Sequence, residues 1–399
     1  MSIQYELWLT DDTGQRLTLL KNIAFLTYTR GTRQFGTVSF GLPFEPFKKE
    51  FITWFRPDWR VEVWRSPAYG VSMRREDVYL LRKPSVYTRE DNMQMIQFYG
   101  RNGWDLLNRR HIIQRAGTSY TTKTDYADDM MKEIVTEQML YGSAVDQDGA
   151  SDNTRAWPRN EFSVQGDVSL GPSMTLSCDG KNVLDVLRDI SDYTLQAYQD
   201  DPDNVLRVFL DVIPLELDPG DNDSSSPLGW QFVTRAGLYG ADRTEGIEYS
   251  LENENIKAPS YSISHLDEVN TVYVQGNGRG ETQIIEAVSD SYRVALSRWN
   301  RSESVASATN ETSTTGLQHT GKAELEKGKP VEDLKLEFLN TKGGPSTPRS
   351  LYGLDWDLGD RLRVNYAGRQ FDVEINLVYV SVDDAGNETI TGRNEVQNA

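Results

Sequence analysis

Residues 3–100 contain six short runs of apolar-rich, largely alternating sequence, each bounded by turn-forming residues. They are IQYELWLT (3–10), NIAFLTYTR (22–30), FGTVSFGL (35–42), WRVEVWR (59–65), DVYLLRKPSVY (77–87) and MQMIQFYG (93–100). A two-residue period sends neighbouring side chains to opposite faces of a strand, and clusters such as DDTG at 11–14 reverse the chain between runs. Many short strands at close spacing predict an antiparallel β-barrel or sandwich.

From residue 101 the period changes. NGWDLLNRRHII (102–113) reads as a short helix. A longer one is expected from about Thr124 to Leu140, with Thr124 as N-cap and Asp125, Asp128 and Asp129 in its first turn. Ala127, Met130, Met131, Ile134 and Val135 form its apolar stripe. Residues 141–173 read as a long loop, and KNVLDVLRDISD (181–192) as a second helix capped by Asp179. Strands resume at LQAYQD (195–200) and VLRVFLDVIPLEL (205–217), followed by the loop 218–229 and WQFVTRAGL (230–238). IEYSLE (247–252), SYSISH (260–265) and VNTVYVQGNG (269–278) continue the β pattern. The Ser, Thr and Ala-rich stretch 302–316 is expected to be a mobile connection before a short helix at 317–327, stopped by Gly328 and Pro330. A hairpin at DDAG (383–386) closes the chain. Residues 60–81 and 361–377 share the order strand, glycine turn, strand. Any β-hairpin has that order, so common origin and coincidence both stay open.

Charge and cysteine usage narrow the function. Acids outnumber bases 60 to 42, for a net charge of −18, which repels nucleic acid and anionic membranes at long range. Cys178 is the one cysteine, so no intramolecular disulfide framework is possible. The first residues show no basic n-region and apolar h-region, and no apolar run approaches the ~18 residues of a membrane span. A protein acting or assembling where it is made is expected.

The densest candidate chemistry is YGLDWDLGDRLRV (352–364), with Asp355, Asp357 and Asp360 in six residues. A calcium loop counted from Asp355 needs glycine at its sixth position and glutamate at its twelfth; the chain has Asp360 and Tyr366. The better reading is a turn: Gly359 supplies a permissive backbone, Asp360 accepts from local amides, and Arg361–Tyr366 alternates as a strand. DDPDN (200–204) and DPGDND (218–223) read as solvated loops. His111, His265, His319 and Cys178 are scattered without zinc spacing, and GNGRG (276–280) follows a strand as a turn does. No catalytic constellation, cofactor site or metal site is expected, although a triad defined only by geometry stays open. Trp54, Trp59, Trp64 and Tyr69 could bind sugar if exposed, or pack in the core.

The strand-rich start, DVYLLRKPSVYTRE leading into GRNGWDLLNRRHI, the helix near 125–140 and the late YGLDWDLGDRLRV together resemble the baseplate hub family of long-tailed bacteriophages. The late motif carries the likeness at Tyr352-Gly353, Asp355, Asp357-Leu358-Gly359-Asp360 and Val364. The resemblance implies a mainly β chain with α+β insertions: two related antiparallel β-barrel domains plus a helix-containing middle region. The boundaries expected are 1–100 for an N-terminal barrel, 101–200 for the middle region, and 201–399 for a β-rich region holding the second barrel, with Gly359 and Asp360 at its structural turn. It further implies a non-enzymatic virion protein at the tail tip, assembled in the host cytoplasm. Such a protein is a homotrimer joining the distal tail protein ring to a central spike or fibre, near the tape-measure protein, with DNA only in transit through its channel. The net charge then fits an acidic channel wall, or equally acids that merely keep the outer surface soluble. The competing reading is a carbohydrate-binding or carbohydrate-cleaving phage tail protein.

Overall fold

The computed structural model describes residues 4–44, 55–68, 70–113, 121–178, 180–200, 205–217, 227–308 and 313–396. Asp179, Trp54, Tyr69 and the stretches 201–204 and 218–226 lie outside them. The chain forms two compact units, one of residues 1–258 with 336–399 and one of residues 259–335.

In the first unit the six expected runs appear as β-strands, with a further strand from 16 to 20. These are β1 (Gln4–Thr10), β2 (Arg16–Leu20), β3 (Phe25–Gly31), β4 (Thr37–Pro43), β5 (Arg60–Ser66), β6 (Arg74–Thr88) and β7 (Gln94–Asn102). After them come β8 (Thr121–Tyr126), β9 (Phe162–Val164), β10 (Ser173–Cys178), β11 (Val208–Glu216), β12 (Leu228–Ala236) and β13 (Glu248–Tyr249). Strands β14 (Ile256–Ser264) and β18 (Val331–Phe338) pair with each other and carry the chain from the first unit to the second and back. The second unit holds β15 (Thr271–Gln275), β16 (Ile285–Ser289) and β17 (Glu303–Ser307), and the chain ends on β19 (Arg361–Tyr366), β20 (Arg369–Val382) and β21 (Glu388–Val396).

One sheet unites both ends of the chain. Its order is β2-β1-β5-β6-β7-β4-β3-β20-β19-β13, with β21 also paired to β20. Flat, seven adjacent strands from β5 to β21 would hold those two about 30 Å apart. Instead Arg65 of β5 donates to Glu388 of β21 at 2.8 Å, so the sheet curls until those two strands meet. They meet through side chains: no sheet closes by a backbone ladder among the described residues. Leu7, Tyr28, Phe40, Val63, Phe98 and Val380 are buried, and the cross-strand partners Phe40 and Phe98 stack at 5.2 Å. A second core packs the helices Trp104–Asn108, Ala127–Met139 and Val183–Asp200 against the sheet β11-β12-β9 through Met131, Ile134, Leu187, Ile190, Leu210 and Trp230.

In the second unit, β16-β15-β17 form a three-stranded sheet. Val272 and Val274 of β15 pack with Leu317 and Leu325 of the helix Thr314–Lys327, which Ser313 caps by accepting from Gly316 N at 3.1 Å.

Several boundaries differ from expectation. Thr124 is not an N-cap: TTKTDY is rich in threonine and pairs with β10, Thr124 facing Thr175 at 2.8 Å, so the helix starts at Ala127. LQAYQD is helical, because Leu195 to Asp200 continue the helix Val183–Asp200. Residues 303–307, expected in a mobile connection, form β17 in parallel register with β15. Within 141–173, Phe162–Val164 forms β9 beside β12. The sequence echo between 60–81 and 361–377 does not extend to register: Val61 faces Tyr79, whereas Leu362 faces Val373. That one-residue slip puts like-lettered positions on opposite faces.

Candidate functional site

The three aspartates of the late cluster diverge onto four different arginines. Asp355 takes the fork of Arg349 (2.6 and 2.9 Å) and accepts from Leu351 N at 2.8 Å. Asp357 receives Arg30 at 3.0 Å from β3 and Arg74 at 2.6 Å from β6. Asp360 receives Arg243 Nε at 2.6 Å, Ala241 N at 2.7 Å and Asp357 N at 2.8 Å. Gly359 turns the chain at φ +81°, with Asp360 leading into β19. Burial pushes the Asp357 carboxyl up, but Arg30 and Arg74 outweigh it and hold it below the usual carboxylate range. Each carboxylate is thus neutralised separately, which suits fastening rather than acid–base work. Among the described residues no group of three or more His, Cys, Asp or Glu is placed to hold a metal ion.

Behind Asp357 lies a buried ionic lattice. Glu76 accepts from Arg74 Nε at 2.8 Å, from the Tyr352 hydroxyl at 2.8 Å and from Arg30 at 3.3 Å. Arg65, fully buried, forks onto both oxygens of Glu388 at 2.8 Å and donates to the Tyr352 carbonyl at 2.8 Å. The Tyr5 hydroxyl and Asn340 amide also donate to Glu388. Bidentate, charge-assisted bonds of this kind fix geometry as well as energy. The lattice therefore joins β21 to β1 and β5, and β3 to β6, pairs of strands that no backbone ladder connects.

A cavity of about 480 Å³ adjoins the lattice, with Arg30, Asp77, Asn102, Asp211 and Asp360 in its wall. Burial raises the Asp77 carboxyl to about 7, opposed by Arg30 and reinforced by Asp211. The folded state therefore holds a proton that the unfolded chain releases near pH 4, so Asp77 weakens stability progressively as pH rises from about 4 to 7. Urea denaturation at pH 5 and pH 8 checks this: the wild type is expected to lose about 1–2 kcal/mol more across that interval than Asp77→Asn, after allowance for solvent screening. Equal losses would contradict the assignment.

The remaining candidates do not converge. His265 Nδ1 lies 2.7 Å from Glu268 in the second unit, while His111 bridges to Asn182 in the first. The GNGRG stretch forms the β15–β16 turn, Gly276 N donating to Ile284 O at 2.8 Å. Trp64 donates to Glu62 at 2.9 Å with Arg16 and Arg75 over its ring, and Trp59 packs edge-on against Phe55. Sequence reasoning missed Arg65 and Glu388. Their signal was charge inside strand runs, since RVEVWR and RREDVY bury Glu62, Arg65 and Glu76.

Comparison with solved structures finds the same fold in phage tail proteins. The prophage MuSo2 43 kDa tail protein from Shewanella oneidensis is 13% identical, with a TM-score of 0.58 over 99% of this chain and 98% of that one. A tail protein from Neisseria meningitidis MC58 is 10% identical, with a TM-score of 0.54 over 98% and 96%. No curated protein matches significantly. The family described as Siphovirus ReqiPepy6 Gp37-like protein matches residues 5–392, in agreement with the likeness to long-tailed phage proteins read from the sequence. The chain belongs to this Siphovirus ReqiPepy6 Gp37-like protein family.

Proposed function

We propose that this chain is a non-enzymatic structural protein of the phage tail tip, a hub that joins the distal tail ring to the central spike or fibre around the DNA channel. The observation that carries this reading is the siphovirus family match over nearly the whole chain, coupled to a fold shared end to end with phage tail proteins. In the proposed virion the hub is a homotrimer assembled in the host cytoplasm, near the tape-measure protein, with DNA only in transit. The curled sheet supplies one barrel-like body per copy, with Gly359 and Asp360 holding the turn into its C-terminal strands. The net charge of −18 suits a channel wall past which DNA slides without sticking.

Surface chemistry supports a life in an assembly. The seven most exposed large apolar side chains among the described residues all lie in the second unit, led by Leu266 (93%), Trp299 (83%) and Tyr292 (75%). The segments bearing them are braced: Arg293 donates to the carbonyls of Val269, Leu325 and Gly328 at 2.9–3.1 Å, and Asn300 donates back to Arg293 O at 2.9 Å. Rigid, exposed aromatics of this kind anchor protein contacts.

Immunogold labelling of virions tests the placement: label is expected at the tail tip, and label on the capsid, along the tube or nowhere on the particle would overturn it. Changing Leu266 and Trp299 together to Ser is expected to leave stability within about 0.5 kcal/mol, while incorporation into tails falls at least about tenfold. Undiminished incorporation would remove this surface from the account.

A further inference from the structure

We propose that copies of this chain join through the second unit, the free edge of β17 in one copy pairing with the free edge of β16 in the next to make one continuous antiparallel sheet. Main-chain bonding fixes which groups are free. Asp290 N donates to Asn270 O and Gly276 N to Ile284 O, so Val272 with Val288 and Val274 with Glu286 are the bonded pairs between β15 and β16. Ile285, Ala287 and Ser289 therefore point their N–H and C=O groups away from β15. On the other side Thr271 N donates to Ser302 O and Ala308 N to Gln275 O, which turns the main chain of Glu303, Val305 and Ser307 outward from the parallel ladder. All six residues are exposed, and no described residue bonds to their outward main-chain groups.

The two edges complement each other. β16 and β17 run in opposite directions and are equally long, and each offers its free groups at every second residue. Setting Val305 opposite Ala287 of the next copy places Glu303 opposite Ser289 and Ser307 opposite Ile285, which makes about six main-chain hydrogen bonds at once. Neither edge carries the devices by which proteins block strand pairing: IEAVS and ESVAS contain no proline, lysine or bulge. Among the six outward residues the one charge, Glu303, is held by Arg301 at 2.5 Å. A chain of net charge −18 therefore meets no like-charge repulsion along this contact.

The sheet's faces point the same way. The helix Thr314–Lys327 covers one face through Val272 and Val274 and leaves the other bare, with Val305 64% and Ile285 55% exposed on the side of Tyr273. A solvated sheet face is ordinarily polar. Head-to-tail contacts either close into a ring or run on as a filament. Three copies close nine strands, and in a barrel of about that size side chains fill the interior. Closure then buries the bare face and leaves the helix outside. The count of three rests on the proposed hub, whereas the edge pairing does not. A filled barrel on the three-fold axis bars DNA, so the second units must part before transit.

Paired cysteines test the contact. Within one copy Ala287 and Val305 flank Tyr273 and stand two strand spacings apart, about 9.5 Å, beyond the ~7 Å that a disulfide spans. Opposed across the proposed contact they come to about 5.5 Å, within its reach. With both changed to Cys in a Cys178→Ser background, any disulfide between them joins two copies. Oxidation of the purified full chain and of isolated tails is expected to give covalent dimers and trimers on a non-reducing gel. Ala287→Cys or Val305→Cys alone should give neither. Adding Ser307→Pro removes one outward N–H and leaves the ladder to β15 intact, so the yield should fall at least about fivefold with an unchanged circular dichroism spectrum. No cross-linked species in either sample would overturn the proposal. So would cross-linking by a single variant, which means that an edge pairs with itself, or a yield indifferent to Ser307→Pro. Species larger than a trimer would refute closure at three. Immunogold label at the tail tip without cross-linking would refute this contact alone, and cross-linking with label elsewhere would refute the hub alone.

Discussion

Replacing Arg65 by Met is expected to destabilise the first unit by about 3–5 kcal/mol, because it leaves Glu388 buried without its cation. Arg65 is wholly buried and Glu388 nearly so, and the fork between them joins β5 to β21. Burial alone would weaken the Arg65 charge, but Glu388 and Tyr5 reverse that and hold its guanidinium above the ordinary value. Replacing both members by Met should recover much of the loss, since an apolar pair of similar volume removes the desolvation cost together with the bond. Chemical denaturation of the single and double variants measures this. A single-variant cost below about 1 kcal/mol would mean that the contact behaves as a surface pair and does not fasten the sheet.

Gly359→Ala is expected to cost about 2–4 kcal/mol, from left-handed backbone strain and overpacking together. At φ +81° a side chain is disfavoured, and a Cβ there would lie 2.5 Å from the Tyr239 ring and 2.7 Å from Gly240 N. The neighbouring backbone has little room to yield, because Gly240 N donates to Gly359 O and Asp360 grips Ala241 and Arg243. Thermal melting of the variant is the check, and an unchanged melting temperature would show that the turn relaxes freely.

The sequence disclosed local order better than distant partnership. Alternation in the first hundred residues marked every strand there but β2, because half-buried strands must alternate, as β3 and β4 do. It missed β8, where aspartates and an apolar stripe just downstream resembled a helix start while pairing with β10 made 121–126 a strand. It missed β17 for a related reason: ESVAS is short and small, and its strand form depends on β15 lying alongside. The late aspartate cluster was legible as a turn, but not its partners. Arg30 is 327 residues away from Asp357, and Arg65 is 323 from Glu388. Nothing local specifies such pairs. They exist because one sheet brings both chain ends together, and strand order is a property of the whole chain.

A reconstruction of the intact tail tip tests the tail-tip proposal most directly. The account predicts three copies of this chain around the channel at the distal end of the tube, between the last tail ring and the spike or fibre, with acidic side chains facing the lumen. A six-copy ring, a position along the tube, or a lumen lined by neutral or basic residues would contradict it.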